Sequence, residues 1–214
     1  MMPRILPRLW LVTALALFLA QRAHSQSKST RDLGPASVLV ASRELADPNF
    51  VKTVILLVQY DEKGVVGLIV NRRTDVPLSR LSDELKAARG RDDSLYLGGP
   101  VEISTVFALV QSSAKPETDA KPVFGAVYLL ARKNLLEHAI SRQPDPGVLH
   151  VYLGYAGWTG PQLRREVASG SWYIFHADTS TVFDSDPDSL WSRLIKKTEQ
   201  TLARTYAAPN WRKP

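Results

Sequence analysis

Cysteine is missing from all 214 residues, and that absence removes more chemistry than any motif adds. Disulfide staples, a thiol nucleophile, iron–sulfur clusters and cysteine-ligated zinc are all excluded. Histidine is nearly as scarce: there are four, His24 lies in the N-terminal segment, and the others have no metal-ligand spacing along a helix. A nucleophile elbow, a phosphate-cradling lysine loop, a paired-histidine zinc helix and a calcium loop are also absent. No internal repeat and no low-complexity tract occurs. The sequence therefore supplies no catalytic residue set, no metal site and no cofactor motif, and a noncatalytic role is the better reading.

Nor does any apolar run reach the roughly 20 residues that span a bilayer as a helix. The run that comes nearest is Leu9 to Ala20, preceded by Arg4 and Arg8 and followed by Ala23-His24-Ser25, a small-x-small exit. That is the pattern of an export signal. Residues 1–25 are read as this signal, 26–36 as a flexible polar leader, and 37–214 as one domain, long enough to bury a core without staples. Export to the periplasm or the medium follows, with no membrane attachment after cleavage; an uncleaved, cytoplasmic chain is the alternative. Charge is also modest. The formal net charge is +6, and removing Arg4, Arg8 and Arg22, which have no acidic neighbour in the signal, takes it to +3. A nucleic-acid partner is not expected, since the basic cluster of Arg193, Lys196, Lys197 and Arg204 shares its segment with Trp191, Leu194, Ile195 and Leu202 at helical spacing. It reads as the solvated face of a terminal helix.

What is present is a series of short apolar runs punctuated by turns. Val38 to Val40, Val54 to Val58, Val65 to Val70, Leu95 to Leu97, Ser104 to Val110 and Val123 to Leu130 read as strands. The second and third, joined through Gly64, form a hairpin, and their unbroken apolar character places them centrally in a sheet. Gly67 inside the third suggests a bulge or a close backbone approach. Asp75 is placed to cap a helix over Leu78, Leu81 and Leu85 that covers the hairpin and ends at Gly90. Gly98-Gly99-Pro100 is a turn, and Ser112 to Pro122 an exposed loop. A helix over Leu135, Leu136, Ala139 and Ile140 is stopped at residues 144–147, and Asp186 caps the terminal helix with Pro187 at its first position. Between them, Val148 to Asp178 reads strand, turn, helix, strand. His150 to Tyr155 is the strand, Thr159 and Gln162 match a reciprocal helix cap, Leu163 and Val167 share a helix face, and Gly170 ends the helix before Trp172 to Phe175. This βαβ crossover, set beside a hairpin, requires a mixed sheet. The fold expected is a single α+β domain with helices packed on a mixed sheet that can curl toward a barrel.

Several motifs together resemble the AlgH-like proteins of bacteria, also called the YqgE type. They are Leu39-Val40-Ala41-Ser42 with Leu45-Ala46-Asp47-Pro48-Asn49-Phe50, then Gly67-Leu68-Ile69-Val70-Asn71-Arg72, then Leu97-Gly98-Gly99-Pro100-Val101. The fourth is Leu153-Gly154-Tyr155-Ala156-Gly157-Trp158, with Gln162-Leu163 and Gly170-Ser171-Trp172 behind it. The resemblance spans nearly all of the chain after the signal. It implies a compact α/β protein linked by name to regulation of alginate production, with no settled biochemical activity. The family usually has Pro where this chain has Arg73 and Glu where it has Arg164, and its members are ordinarily cytosolic.

Candidate ligand-binding residues come from these same motifs. Gly154, Gly157 and Gly160 punctuate a strand-to-helix turn whose amides and helix dipole suit an anion, or else simply permit a tight bend. Tyr155, Trp158 and Gln162 flank that turn, Asn71 and Arg72 follow a buried strand, and Gly98 and Gly99 form a third turn. His150, His176 and Asp178 converge if their two strands are neighbours. Trp158 is expected to be buried against Leu163 or a neighbouring strand, its indole N–H on a carbonyl. Two readings stand: a noncatalytic binding or regulatory module with an unknown protein or small anionic ligand as partner, and an enzyme or receptor for a small anion held at the glycine-rich turn.

Overall fold

Runs of Val, Ile and Leu, too short for helices and bounded by Gly, Pro and Asp, become the ten strands of one sheet. A computed structural model describes residues 33–81, 85–113, 116, 119–142 and 148–207; the segment read as an export signal, most of the expected leader and the expected helix stop at 144–147 lie outside them. In chain order the strands are β1 Ser37–Ala41, β2 Val54–Asp61, β3 Gly64–Ile69, β4 Arg73–Pro77 and β5 Ser94–Leu97. After them come β6 Val101–Gln111, β7 Lys121–Phe124, β8 Val127–Leu130, β9 Leu149–Trp158 and β10 Trp172–His176. The helices are α1 Lys133–Arg142, α2 Gly160–Ala168, α3 Thr179–Val182 and α4 Pro187–Ala207.

The order across the sheet is β10-β1-β2-β3-β9-β6-β8-β7, with β4 and β5 branching from β9. Every ladder is antiparallel except β5 on β9, so the sheet is mixed, as expected. The β2–β3 hairpin forms as read, and Gly67 justifies itself twice. A register shift falls between Leu57 and Gln59, opposite Gly67 and Val66, and a Cβ on Gly67 would lie 2.5 Å from the Ile55 side chain. The crossover also forms. Four successive antiparallel ladders give β9 and β10 the same sense, but β3, β2 and β1 lie between them.

Alternation along β6 and β9 divides the interior into two cores. Leu109, Tyr152, Ala156 and Trp158 join β1, β2 and β3 under α2 and α4. Ala108, Val110, Leu149 and Val151 face the other way, onto Leu135, Leu136, Ala139 and Ile140 of α1. Leu33, placed by the sequence in the leader, packs against the first core.

Three expectations need correction. Asp75 caps no helix: it sits in β4, and Leu78–Arg80 and Lys86–Ala88 are single 3-10 turns, with 82–84 outside the described residues. Pro77 explains the start, because the residue before a proline is driven into extended backbone. Leu78 and Leu85 accordingly bury in the second core, away from the hairpin. Second, the run Val123 to Leu130 is two strands, β7 and β8, folded back at Gly125, whose φ of 47° is open to glycine at no steric cost. Third, β9 does not stop at Tyr155. It runs through Gly154 and Gly157 to Trp158.

Candidate functional site

Continuity of β9 changes what its glycines do. Gly154, at φ 67°, lies where β6 spends residues 102–105 between two pairings and β9 spends only Gly154. A Cβ there would meet the Gly99 and Val101 carbonyl oxygens at 2.6 and 2.8 Å, and one on Gly99 would fall 2.1 Å from the Tyr155 carbonyl carbon. Gly98 is just as confined, its own Cβ position lying 2.4 Å from the Gly154 carbonyl oxygen. These three glycines interlock two backbones. Tyr155 is half-buried, edge-on to Phe107 at 6.0 Å, and Gly157 is exposed beside the Tyr155 ring.

The turn into α2 is short. The Thr159 hydroxyl accepts from the Gln162 amide at 3.2 Å, half of the expected reciprocal cap. The other half is replaced: Gln162 donates its side-chain amide to Glu166 at 3.0 Å instead. Glu166 is a collecting point, for Trp158 and Trp172 also donate to it, at 3.0 and 2.9 Å. Trp158 is therefore buried as expected, in the cluster that holds Leu163 and stacked on Phe50 at 5.6 Å, but its indole meets a carboxylate and not a carbonyl. At the far end of α2 the Gly170 amide reaches Val167 O and the Ser171 amide reaches Glu166 O, with Gly170 at φ 83°. This is the glycine-ended helix the sequence specified.

Asn71 and Arg72 part company. The Asn71 side chain, 9% exposed, accepts from the Val54 amide at 2.7 Å and donates to the Lys52 carbonyl at 3.0 Å, pinning the start of β2. Arg72 is half-buried; desolvation lowers its pKa, and the nearby charge of Asp47, not of Asp75, works the other way. Among the three described clefts, none is lined by Asn71, Arg72, Gly98, Gly99, Gly154, Tyr155, Gly157, Trp158 or Gln162.

The histidine trio does not assemble. His150 pairs across to Leu109 in the middle of the sheet, while His176 lies on the edge strand β10 opposite Ser37. Asp178 has another task. It caps α3 by accepting from the Thr181 amide at 2.8 Å and the Ser180 hydroxyl at 2.6 Å. Partial burial opposes its ionisation, and these hydrogen bonds outweigh burial, leaving its pKa lowered.

His150 instead floors a cleft of about 270 Å³. The parallel ladder sets Tyr96 of β5 opposite Tyr152, two residues along β9 from His150, and the Tyr96 and His150 rings stack at 4.5 Å. Phe183, delivered by the end of α3, tilts onto His150 at 5.0 Å. Arg73, Asp93, Asp184 and Ser185 form the rim. His150 is 8% exposed, and burial drives its pKa down to about 4, with the Val182 carbonyl offsetting part of that effect. The ring is thus neutral at physiological pH. Its Nε2 lies 3.4 Å from the Tyr96 hydroxyl. The fully buried Tyr152 hydroxyl has no hydrogen-bond partner among the described residues, and burial raises its pKa well above the usual value. Such an orphaned group costs roughly 1–3 kcal/mol, so this corner of the core is polar at the expense of stability. Each rim charge has a partner outside the cleft: Asp93 pairs with Arg91, Asp184 with Arg193 at 2.7 Å, and Arg73 with Asp188 at 3.4 Å.

Sequence reasoning named His150 for the wrong trio and passed over Tyr96, Asp93, Asp184 and Ser185. The signal available was Arg73, where this chain departs from the usual family proline. The others come from three separate segments that only the parallel β5–β9 ladder and α3 bring together.

Comparison with known proteins agrees with the fold. Residues 38–203 match the profile of the AlgH-like family. A UPF0301 protein of Myxococcus xanthus is 34% identical over 169 residues, covering 78% of this chain and 91% of that protein. A UPF0301 protein of Streptomyces coelicolor is 32% identical over 181 residues, covering 81% and 91%. The solution structure of the AlgH protein from Pseudomonas aeruginosa superposes with a TM-score of 0.63 at 28% identity, over 82% of this chain and 94% of that one. A crystal structure from Corynebacterium diphtheriae, 23% identical, gives a TM-score of 0.64 over 78% and 87%, a likeness of fold.

Proposed function

The chain belongs to the AlgH-like family, and from that premise we propose that it is a noncatalytic binding module whose ligand enters the cleft over His150 and Tyr96. The observation that carries this reading is the neutral, buried His150 beneath a rim of matched ion pairs. A general base works best with a pKa near the working pH, and a histidine held near 4 is too weak a base for that task. It is well suited to hydrogen bonding without charge. The family motifs support the same reading from the other side, because Asn71, Gly98, Gly99, Gly154 and Trp158 are occupied in holding the backbone.

Among the described residues no helix is long and apolar enough to cross a membrane. Separately, the signal-like residues 1–25 support a module that acts after export, in place of the cytoplasmic setting usual for the family. A regulatory role follows if ligand occupancy is what a partner protein reads.

The test is a thermal-shift screen of the purified chain against amino acids, nucleosides, sugar phosphates and small carboxylates, each hit repeated on Arg73→Gln. A ligand stabilises by mass action. The expected result is a hit whose shift shrinks in Arg73→Gln and whose ligand is recovered unchanged. Conversion of the hit to product, followed by NMR, overturns the noncatalytic reading. A hit indifferent to Arg73→Gln and lost with Gln162→Ala moves the site to the turn before α2, where a small anion was the alternative.

A further inference from the structure

The charges around the cleft define what it can hold. Arg73 contributes a cation to the lining, and Asp93 and Asp184, from two other segments, contribute carboxylates. Their outside partners bring the group to electrical balance, so a ligand of net charge must leave one of these pairs uncompensated. A plain anion meets Asp93 and Asp184; a plain cation meets Arg73. A molecule carrying both charges meets neither objection.

We propose that this cleft binds a small zwitterion, a free α-amino acid, with its carboxylate on Arg73 and its ammonium on Asp93 and Asp184. This rests on the reading of the cleft as the binding site. The three rim groups are unequally committed. The Arg73–Asp188 contact is long, at 3.4 Å, and both side chains are substantially exposed, at 44% and 69%, so a ligand carboxylate displaces Asp188 readily. Arg91 and Arg193 hold their aspartates more closely, and those side chains are only 16% and 14% exposed. Each nevertheless keeps lone pairs: Arg91 binds Asp93 through Oδ2 alone, and each Asp184 oxygen takes a single donor, from Asp186 N or Arg193.

Size and lining narrow the class further. A volume of about 270 Å³ is below the roughly 300 Å³ at which pockets for drug-sized molecules begin. The phosphates of nucleotides and sugar phosphates would bring unbalanced charge. Phe183 and Leu149 give an apolar surface for an amino-acid side chain. The neutral His150 completes the floor without adding a second positive charge.

Isothermal titration of the full chain at neutral pH tests this with leucine and phenylalanine, their N-acetyl derivatives, which lack the ammonium, and their amides, which lack the carboxylate. Both truncations are expected to weaken binding by at least about tenfold, the scale of one charged hydrogen bond lost. Arg73→Gln should weaken the amino acids and leave the amides unaffected; Asp93→Asn should reduce the penalty for N-acetylation, and the double variant Asp93→Asn, Asp184→Asn should abolish it. Thermal unfolding of each variant establishes that it is folded. Equal binding of the N-acetyl derivative overturns the zwitterion assignment, as does a nucleoside that outcompetes every amino acid. In either case, backbone amide shifts at Phe183 and Ser185 on ligand addition leave the cleft as the binding site. If no compound moves those amides, both the class and the site fall.

Discussion

Trp158 and Trp172, on β9 and β10, donate their indole N–H groups to the same oxygen, Glu166 Oε2, and their rings meet edge to face at 6.1 Å. One carboxylate on α2 thereby ties together two strands that are not neighbours in the sheet. Replacing Glu166 by Ala strands two buried donors and should cost about 2–6 kcal/mol, at roughly 1–3 for each. Trp158→Ala should cost about 3–5 kcal/mol, as for other large buried aromatics. Urea unfolding monitored by circular dichroism gives both values. An unchanged midpoint in either variant would mean that the link contributes nothing.

The glycine interlock makes a sharper claim. Gly99→Ala places a methyl within 2.1 Å of Tyr155 backbone, which no side-chain movement relieves. Expression should yield little folded protein. Gly160→Ala is the control, since its nearest neighbour is the flexible end of Arg164 at 3.3 Å, and it should unfold within about 1 kcal/mol of the parent.

His150 sets a pH dependence whose sign is fixed. Its folded pKa, about 4, is below the unfolded value of about 6.5, so the unfolded chain binds the extra proton first. Its stabilising contribution is complete above pH 6.5 and is lost as pH falls toward 4, by a total of roughly 3 kcal/mol. Unfolding free energies measured from pH 7.5 to 4 should fall accordingly. In His150→Phe most of that slope should disappear; a slope that persists unaltered assigns it to other groups.

Asn71 offers a test of the family motif itself. Asn71→Ala removes both partners of the turn before β2, the Val54 amide and the Lys52 carbonyl, and Lys52 is held at φ 56°. A loss of about 1–3 kcal/mol is expected. Hydrogen exchange at Val54 should accelerate; protection equal to the parent would show that the side chain is dispensable there.

For the leader, intact mass of the chain after expression in a secretion-competent bacterium should correspond to a start near Gln26. A full-length cytoplasmic product would return the protein to the family's usual compartment.

The sequence was informative where local chemistry decides structure. The β2–β3 hairpin, the Thr159 cap, the Gly170 stop and Pro187 at the head of α4 each depend on residues within a few positions of one another. It was misleading where the same residue type serves two ends. Gly154 and Gly157 read as a turn because glycine marks turns, yet Gly154 accommodates a bulge against β6, a strand some fifty residues earlier. Asp75 read as a cap because its neighbours have helical spacing, and Pro77 two residues later prevailed. The cleft was hidden for a different reason. Tyr96, His150 and Asp184 have no pattern in common, and it takes the β5–β9 ladder and the packing of Phe183 to bring their segments together.

The position of β1 has a consequence for how the chain matures. Its five residues lie between β2 and β10, with Ser37 opposite His176, and the Ala41 carbonyl accepts from Trp191 of α4 at 2.8 Å. The first strand to leave the ribosome is thus completed by nearly the last. Until β10 and α4 have been made, one edge of β1 is bare and apolar, the condition in which nascent chains engage chaperones. Such late closure lengthens the interval in which the polypeptide is extended.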